Sequence, residues 1–516
     1  MNEKNASSRE LPRYPESLWM ASSDLPTFPQ LTENMTVDVS IVGAGITGIT
    51  TAYLLTKQGY KVALIDAGKI LAGTTGHTTA KVTAQHGLIY HELLQHFGPE
   101  KSTQYYRANQ EALDSMAQLV KKLKIDCEWQ TEDAYLYAES DSALDKLEKE
   151  FDAYEKLGIP GEWTNHVPIP LVIKGAIKLP NQAQFHPLSY LKRLVEEIIK
   201  AGGVIYENTI LSKKIEKEGL LILRTHQGDH HLKCRHIVSA SHFPFSDGGG
   251  FFFSRLYAER SYVVAIKPTM PFAGGMYLSV DDPNRSLRAA NQNGEQVILV
   301  GGDSHKTGQG ICTYQHYEHL EAFGEKLFGI KSIPFRWSTQ DLITLDKVPY
   351  IGQITSHDQD IYVATGFAKW GMTTSMVSAR LISDQIQRKK NPYAELFTPS
   401  RFVADPSIKN FIVQNANVAK ELVTGKISMV HRKADELGQD EGSVVIHNGK
   451  RAGAYKNPKG QLFLVDTTCT HLGCEVEWNE AERSWDCPCH GSRFNYDGQV
   501  MEGPAEEPLM KLNDQG

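Results

Sequence analysis

The chain has 516 residues, of which 41% are hydrophobic and 22% charged, and its formal net charge is −7. At roughly 150 residues per domain, this length predicts about three domains, and the composition is that of an ordinary soluble globular protein. The negative charge argues against nucleic acid as a partner, because phosphates favour a basic surface.

Residues 1–36 form a predicted N-terminal extension with neither the apolar run nor the cleavage pattern of an export signal. The most apolar window, VDVSIVGAGITGITTAYLL at 37–55, is interrupted by glycines. It therefore predicts a strand, a turn and a helix rather than a membrane span. We expect a cytoplasmic protein without a transmembrane segment.

A glycine motif follows the strand predicted at Val37–Val42. Gly43, Gly45 and Gly48 stand in G-x-G-x-x-G spacing, and the next predicted strand, KVALID, ends at Asp66. Such glycines allow a tight turn, a close approach of pyrophosphate to the backbone, and close packing of the helix on the sheet. The acid can accept a ribose hydroxyl. The pattern predicts a dinucleotide site for FAD or NAD, and the alternative is a glycine turn that binds nothing.

A second glycine turn comes much later. IYVATG predicts a strand that ends in a turn at Gly366, and a helix is predicted from Gly371 to Gln385. The first N–H groups of this helix could also point at the cofactor.

From about Val37 to Phe402 the chain resembles flavoproteins of the D-amino-acid oxidase and glycine oxidase superfamily. The resemblance rests on GAGITG, WSTQDLITLDKVPYIG and ATGFAKWGMT, in this order. It implies FAD and oxidation of a C–N bond in a small amine or amino acid. The residues that it implies for FAD binding are Gly43, Gly45, Gly48, Asp66, Gly366, Gly371, Met372 and Thr373.

The resemblance also implies how the chain is divided. It predicts an α/β Rossmann-type FAD-binding domain within 37–402, assembled from 37–83, 184–247 and 339–402. An α+β substrate domain would consist of 84–183 and 248–338. A proline-rich segment with helical character follows, and we interpret 403–424 as a linker that allows movement if it is flexible.

The stretch AGTTGHTTAK, at 72–81, resembles the segment of dimethylglycine and sarcosine dehydrogenases that carries the histidine bonded to flavin. His77 stands at the matching position, and Gly76 stands where those relatives have tryptophan. The sequence leaves open a covalent flavin at His77 or a noncovalent loop histidine, and the glycine favours the second.

For catalysis the sequence offers only weak candidates. Lys369 and Trp370 lie in the glycine turn that should approach the flavin, where either could shape the pocket. Arg260, Tyr257 and Tyr262 could line the substrate pocket, and an arginine could hold a substrate carboxylate. A solvent-facing or packing role is the alternative for each.

Four cysteines and two histidines are concentrated in two short segments, CTHLGC and CPCHGS. Cys469 and His471 come from the first, and Cys487 and His490 from the second. Two thiolates on one iron and two imidazoles on the other are what a Rieske [2Fe–2S] centre requires. Structural zinc is the alternative, but zinc sites usually show C-x₂₋₄-C pairs with separately spaced histidines.

Residues 425–516 resemble the Rieske family, and alternating apolar and polar residues predict an all-β domain. The resemblance allows Cys474 and Cys489 to bridge the two loops as a disulfide. Ser492 is kept, but Phe494 stands where high-potential members have tyrosine. Since hydrogen bonds to sulfur stabilise the reduced cluster, we predict an intermediate potential.

Together the two modules predict a relay. Flavin takes two electrons from a substrate, and the cluster would carry single electrons to an external acceptor, a protein or a quinone. His471 and His490 are the expected exit. The alternative is an electron-transfer or redox-sensing protein that turns over no small amine.

Overall fold

The computed structural model describes residues 10–217, 220–226, 228–246, 249–310, 313–427 and 432–512. The start of the N-terminal extension, the predicted domain boundary at Gly248 and the last four residues of the Rieske segment lie outside these ranges.

The longest helices of the described residues are α3 and α10. In chain order they are α1 (Leu18–Ala21), α2 (Ile46–Lys57), α3 (Tyr90–Leu123), α4 (Asp141–Leu157), α5 (Pro187–Lys200), α6 (Phe252–Arg255), α7 (Tyr314–Phe328), α8 (Gly371–Ile386), α9 (Ala394–Phe397) and α10 (Ala404–Ile427). Among them, none has the combination of length and apolar sequence that a bilayer span requires.

The strands of the described residues fall into five sheets. In chain order they are β1 (Met35–Thr36), β2 (Val39–Val42), β3 (Val62–Ile65), β4 (Lys81–Val82), β5 (Gln130–Ala138), β6 (Glu162–Thr164), β7 (Gly175–Gln184), β8 (Val204–Tyr206), β9 (Leu211–Lys217), β10 (Leu220–Thr225), β11 (His231–Cys234), β12 (His236–Ser239), β13 (Leu256–Pro268), β14 (Met276–Ser279), β15 (Arg285–Gln292), β16 (Glu295–Lys306), β17 (Ile330–Thr344), β18 (Tyr350–Gln353), β19 (Ile361–Thr365), β20 (Glu441–His447), β21 (Lys450–Lys456), β22 (Leu462–Val465), β23 (Glu477–Asn479), β24 (Ser484–Asp486), β25 (Arg493–Asn495) and β26 (Val500–Glu502).

A six-stranded sheet of order β18-β19-β12-β2-β3-β8 forms the Rossmann-type core. Its neighbours are parallel except for the edge strand β18. The β-branched strand β2 is buried on both faces, and α2 packs between α5 and α8. The chain passes from β2 to β3 on one side, while β12 lies on the other. Ligands of open parallel sheets bind at the carboxyl ends of strands at such a point. A small sheet of order β1-β11-β10-β9 adjoins this core.

The largest sheet has the order β17-β13-β16-β15-β14-β5-β7-β4, with β6 added on β7. It is antiparallel except where β14 runs parallel to β5, as expected for an α+β substrate domain. The long strands β13 and β17 pair along most of their length. Since successive side chains point to opposite faces, Val263 and Ala265 enter the main core with Trp337. Val264 and Ile266 instead pack in a second core with residues of α7.

The C-terminal domain is all-β, as the sequence predicts. It consists of two antiparallel sheets, β20-β21-β22 and β23-β24-β25-β26. Trp485 and Phe494 are fully buried in its core, together with the thiols of Cys469 and Cys487.

Apart from Val403, the predicted linker falls in α10, which is helical except at Asp405. Asn410 donates a hydrogen bond to the Leu345 carbonyl (2.7 Å), and Lys306 donates to Gln414 (2.6 Å). The helix therefore packs along the flavoprotein part of the chain rather than forming an extended tether.

Candidate flavin and iron–sulfur sites

The first glycine turn lies at the carboxyl end of β2, and its glycines are sterically required. Gly43 has φ 103°, and a Cβ there would lie 2.4 Å from the Ala240 carbonyl oxygen. A Cβ on Gly48 would lie 1.9 Å from the Gly43 carbonyl oxygen. At Gly45 a Cβ would meet only the Thr75 hydroxyl, at 3.0 Å. The turn is thus a bare backbone cradle at the start of α2, which suits a pyrophosphate.

Asp66 lies beside this cradle, at the end of β3. Its Oδ2 accepts a hydrogen bond from the Ala44 N–H, and its Oδ1 accepts one from the Gly68 N–H, both at 2.8 Å. Burial raises the pKa of Asp66, and these two N–H donors oppose the shift. Each carboxylate oxygen keeps a second lone pair, so the residue can still accept a ribose hydroxyl.

The second glycine turn joins β19 to α8. Gly366 has φ 75°, and a Cβ there would lie 2.4 Å from the Thr344 side chain. Helix α8 begins at Gly371 without a side-chain cap, and Met372 and Thr373 are buried in its first turn. The backbone N–H groups of this first turn lie at the same edge of the six-stranded Rossmann-type sheet as the first glycine turn.

The loop that carries His77 is a 3₁₀ turn, Thr74–His77. The His77 Nδ1 lies 2.9 Å from the Gly73 carbonyl oxygen, and Trp337 donates to the His77 carbonyl oxygen at 2.8 Å. A Cβ on Gly76 would lie 2.8 Å from the Met20 sulfur. The N-terminal extension therefore fills the space above Gly76, which explains why a tryptophan is not accommodated. A noncovalent flavin stays a prediction.

His86, which the sequence reasoning missed, lies behind the second glycine turn. Its Nε2 lies 2.8 Å from the Thr83 carbonyl oxygen, and its Nδ1 lies 2.8 Å from the Tyr105 hydroxyl. The ring stacks on Trp370 at 4.7 Å between centroids. Burial lowers the pKa of His86 to about 3, so the ring is neutral and supports Trp370. No motif surrounds this histidine that could have identified it.

The β13–β17 pair separates the predicted site residues into two groups. On one face, which we call the flavin face, the Lys369 ammonium donates to Ser261 (2.5 Å) and Asp341 (2.7 Å). Trp337, which contacts the His77 loop, lies on the same face. Both loops predicted to surround the flavin therefore meet this face.

Arg260 and Tyr262 lie on the opposite face, which we call the cluster face. Arg260 is buried, and its Nη1 donates to Ser338 (2.5 Å) while its Nη2 lies 3.4 Å from Glu502 Oε1. The Tyr262 hydroxyl lies 2.9 Å from His305 Nε2. The expectation that these two residues line the substrate pocket is corrected, because strand alternation points them away from Lys369.

The predicted cluster ligands lie in two loops that converge, residues 469–474 after β22 and residues 487–492 after β24. We call these the cluster loops. The ring centroids of His471 and His490 are 5.0 Å apart and perpendicular. The neighbouring thiol of Cys487 is the main cause that lowers the pKa of Cys469 to about 7. Backbone N–H groups add to this shift, and burial opposes it. Proximity to the Cys469 thiol raises the pKa of Cys487. His490 Nδ1 is buried and has no hydrogen-bond partner among the described residues. Two adjacent thiols and two imidazoles, one with an unused nitrogen, fit a [2Fe–2S] cluster.

A disulfide joins the loops. The sulfur atoms of Cys474 and Cys489 are 2.09 Å apart. Within the described ranges, these two sulfurs and that of Cys487 lie within 4.8 Å of one another. Since two of the three are already bonded, this trio cannot hold a metal ion as a thiolate set.

Ser492 is the last residue of the second cluster loop, and Phe494 follows it closely. The Ser492 hydroxyl accepts a hydrogen bond from the Ala505 N–H (3.0 Å) and also interacts with the Cys469 thiol. Phe494 is buried in the domain core and brings no hydroxyl.

The histidine side of the cluster site faces the flavoprotein part of the chain. The Phe253 ring lies edge-on to His471 and His490, at 5.9 and 6.0 Å. A Cβ on Gly491 would lie 2.4 Å from the Ala258 Cβ. The expectation of a solvent-facing exit at His490 is therefore wrong, because Phe253 and β13 cover it, whereas His471 stays partly exposed. In the sequence, the aromatic run GGGFFFS at 248–254 is the feature that could have indicated this contact.

Charged side chains, most of them buried, hold the two parts together. Glu502 accepts from Arg493 (2.8 Å) and Arg260 (3.4 Å), and Arg493 also pairs with Asp486 (2.9 Å). Burial would raise the pKa of Glu502, but Arg493 and Arg260 hold it below its usual value. The carboxylate therefore stays ionised between the two guanidinium groups.

The N-terminal extension reinforces this boundary. Arg336 of β17 donates to the carbonyl oxygens of Pro12 (2.5 Å) and Arg13 (2.7 Å). The Arg13 guanidinium in turn pairs with Asp440 of the C-terminal domain at 2.7 Å, beside Arg483. The extension thus contacts both parts of the chain.

Comparison with known families agrees with these two sites. A family model described as FAD dependent oxidoreductase matches residues 38–385, and one described as Rieske [2Fe-2S] domain matches residues 428–513. The chain belongs to the FAD dependent oxidoreductase family and carries a C-terminal Rieske domain. Its cofactors are accordingly FAD and a [2Fe–2S] cluster, which resolves the NAD and zinc alternatives.

Individual relatives share this organisation in whole or in part. The "Putative Rieske 2Fe-2S iron-sulfur protein YhfW" of Bacillus subtilis strain 168 is 52% identical over 501 residues, 97% of this chain and 98% of that one. Gamma-glutamylputrescine oxidoreductase of Escherichia coli K12 is 21% identical over 70% of this chain and 86% of its own length. The crystal structure of glycine oxidase from Geobacillus kaustophilus superposes with TM-score 0.61 at 19% identity, covering 72% of this chain and 100% of that one.

Proposed function

We propose that this protein is a dehydrogenase of a small amine or amino acid that transfers electrons through its own Rieske cluster to an external one-electron acceptor. The relatives named for gamma-glutamylputrescine and glycine support oxidation of a C–N bond. We further propose a cytoplasmic location and an acceptor that is either a protein or a quinone.

The observation that supports the proposal is that one pair of strands contacts both candidate sites. Lys369, in the second glycine turn, donates a hydrogen bond to Asp341 on the flavin face of β17. One residue earlier, Gln340 donates from Nε2 to the Gly491 carbonyl oxygen on the cluster face, at 3.0 Å. The two candidate cofactor sites would lie on opposite faces of one sheet, so a single sheet layer would separate them. Stacked sheet layers lie about 10 Å apart. This separation favours electron transfer within the chain.

On the flavin face, the chain would bind and orient. The glycine turns at Gly43–Gly48 and Gly366–Thr373 would hold the cofactor by backbone N–H groups. The stacked Trp370 would form a wall of the pocket, and Lys369 would place a cation there, neutralised by Asp341. FAD, when bound, supplies the hydride acceptor. The pocket would not need a side chain that removes a proton from the substrate carbon. It would only have to orient the substrate C–H bond.

On the cluster face, Cys469 and Cys487 would hold one iron, and His471 and His490 the other. The Ser492 hydroxyl would donate to a cysteine sulfur. Electrons would enter from the side that Phe253 covers. They would leave past the partly exposed His471, next to the exposed Leu472.

An anaerobic substrate screen tests the function. The purified protein is mixed with amines, amino acids and their N-methyl forms while the flavin band is followed. Bleaching by one class of compound, followed by reduction of the cluster, is the expected result. If no compound bleaches the flavin but a redox partner reduces it, the protein is an electron-transfer or sensing protein instead.

A further inference from the structure

Helix α10 carries an apolar surface that nothing in the described chain covers. Between 406 and 423 its exposed positions are seven apolar residues and two lysines, namely Ile408, Lys409, Phe411, Ile412, Val413, Ala416, Ala419, Lys420 and Val423. Ile412 is 61% exposed and Val423 58% exposed. Phe402, just before the helix, is 75% exposed. We call this set the α10 stripe. Contiguous exposed apolar surface of this kind marks an interaction site.

The stripe is the outward side of a helix whose inward side is already bonded. Gln414 and Asn417 accept hydrogen bonds from Lys306 (2.6 and 3.1 Å). The Val418 carbonyl oxygen lies 3.8 Å from the Cys489 sulfur. Because the helix repeats every 3.6 residues, Ile412, Ala416, Ala419 and Val423 fall on the side opposite these contacts. The stripe therefore points away from the part of the chain that these contacts hold.

The charges on the stripe indicate its partner. Lys409 and Lys420 are the only charged residues among the exposed positions from 406 to 423, where the one acid, Glu421, is partly exposed. At the start of the helix the exposed Asp405 carboxylate lies 3.4 Å from His96 Nδ1. This cationic and apolar combination occurs in a chain with a net charge of −7. A helix with an apolar side and flanking lysines is typical of binding in the plane of an anionic bilayer. Two copies paired through the stripe would instead bring the four exposed lysines, Lys409 and Lys420 of each copy, into one apolar interface.

We propose that the α10 stripe docks this protein on the surface of an anionic lipid bilayer. The inward side of α10 contacts the cluster loop at Cys489, and a helix is about 10–12 Å across. Docking would therefore place the iron–sulfur site next to the membrane surface. In this position the acceptor of the proposed relay is a quinone dissolved in the lipid, a consequence that rests on the proposed function.

Vesicle sedimentation of the full chain with both cofactors bound tests the docking. The vesicles contain equal parts of phosphatidylethanolamine and phosphatidylglycerol, and phosphatidylcholine vesicles serve as the uncharged comparison. We expect the wild type to sediment with the anionic vesicles and at least tenfold less with the uncharged ones. The double variant I412E/V423E should lose at least tenfold in binding. The K409Q/K420Q variant should bind both kinds of vesicle equally weakly.

Val172→Glu is the matched control, since Val172 is 91% exposed and lies in the loop between β6 and β7. It should bind like the wild type. The proposal is overturned if the wild type does not sediment with either vesicle, or if I412E/V423E binds as well as the wild type. It is also overturned if light scattering without lipid shows a dimer that I412E/V423E converts to a monomer, or if the stripe binds an acidic protein and no vesicle. Vesicle binding does not depend on substrate oxidation, so failure of the docking and failure of the relay are distinguishable.

Discussion

Gln340 of β17 donates a hydrogen bond from Nε2 to the carbonyl oxygen of Gly491, 3.0 Å away. Gln340 belongs to the flavoprotein part of the chain, and Gly491 directly follows His490 in the cluster loop. The neighbour of Gln340, Asp341, points to the other face and holds Lys369 at the second glycine turn. A single strand of the sheet therefore contacts both redox sites.

Replacing Gly491 with alanine should separate the two sites. Gly491 has φ 80°, and its Cβ would collide with Ala258, whereas Gly473 in the other cluster loop has φ 75° and nothing within 4 Å. Both changes carry the strain of a left-handed alanine, about 1–2 kcal/mol, but only Gly491→Ala pushes the loop from β13. We expect at least tenfold slower reduction of the cluster by the flavin, measured by stopped-flow spectroscopy. Equal rates in Gly491→Ala and Gly473→Ala would contradict the docked arrangement.

The cluster potential should follow the hydroxyl groups near its sulfurs. Ser492→Ala removes a donor and should lower the midpoint, and Phe494→Tyr adds a donor and should raise it. A hydrogen bond worth about 1 kcal/mol more in the reduced state corresponds to roughly 40 mV, at 59 mV per tenfold. A redox titration followed by electron spin resonance measures both. An unchanged or lower midpoint in Phe494→Tyr would count against this interpretation of position 494.

Arg260 should act on stability rather than on substrate binding. Arg260→Met leaves Glu502 with Arg493 alone, and losing a hydrogen bond to a charged group costs about 2 kcal/mol. Thermal unfolding followed at the cluster band should show this loss, while the Michaelis constant for the substrate stays the same. Arg224→Met, on an exposed position, should change neither. A raised Michaelis constant with unchanged stability would restore the substrate-binding role for Arg260.

The boundary between the domains should loosen in acid. Hydrogen bonds from Arg483 lower the pKa of Asp440, with Tyr455 and Arg13 adding to the effect and burial opposing it. Because the folded pKa lies below the unfolded value of about 3.9, the stabilisation is complete above that pH. It is lost as the pH falls below about 4 towards the folded pKa. The stability difference between wild type and Asp440→Asn should be constant from pH 7 to 5 and shrink below pH 4. A difference that grows in acid would exclude this role for Asp440.

Local motifs made much of the two sites predictable. The ligand pairs Cys469/His471 and Cys487/His490 are each set by one short loop, and the turn at Gly43 needs only its own steric limits and a following helix. The strand alternation that separates Arg260 from Lys369 is equally local. Strand alternation alone could not assign Arg260 to one site, because the sequence does not show which strand lies between the two sites.

The contacts between the two parts of the chain were not predictable in the same way. Arg13 and Asp440 are separated by 427 positions, and Phe253 meets His471 from another domain. Such pairs leave no periodic pattern, because their proximity results from how whole domains pack. The same holds for α10, whose sequence predicts a helix but not which side stays exposed.

The most direct test of the central claim is the rate at which the cluster is reduced after the flavin alone has been reduced by light under anaerobic conditions. Electron transfer within one chain predicts a first-order rate that does not change when the protein is diluted tenfold. A rate that falls in proportion to protein concentration, or a cluster that stays oxidised while the flavin is reduced, would contradict it.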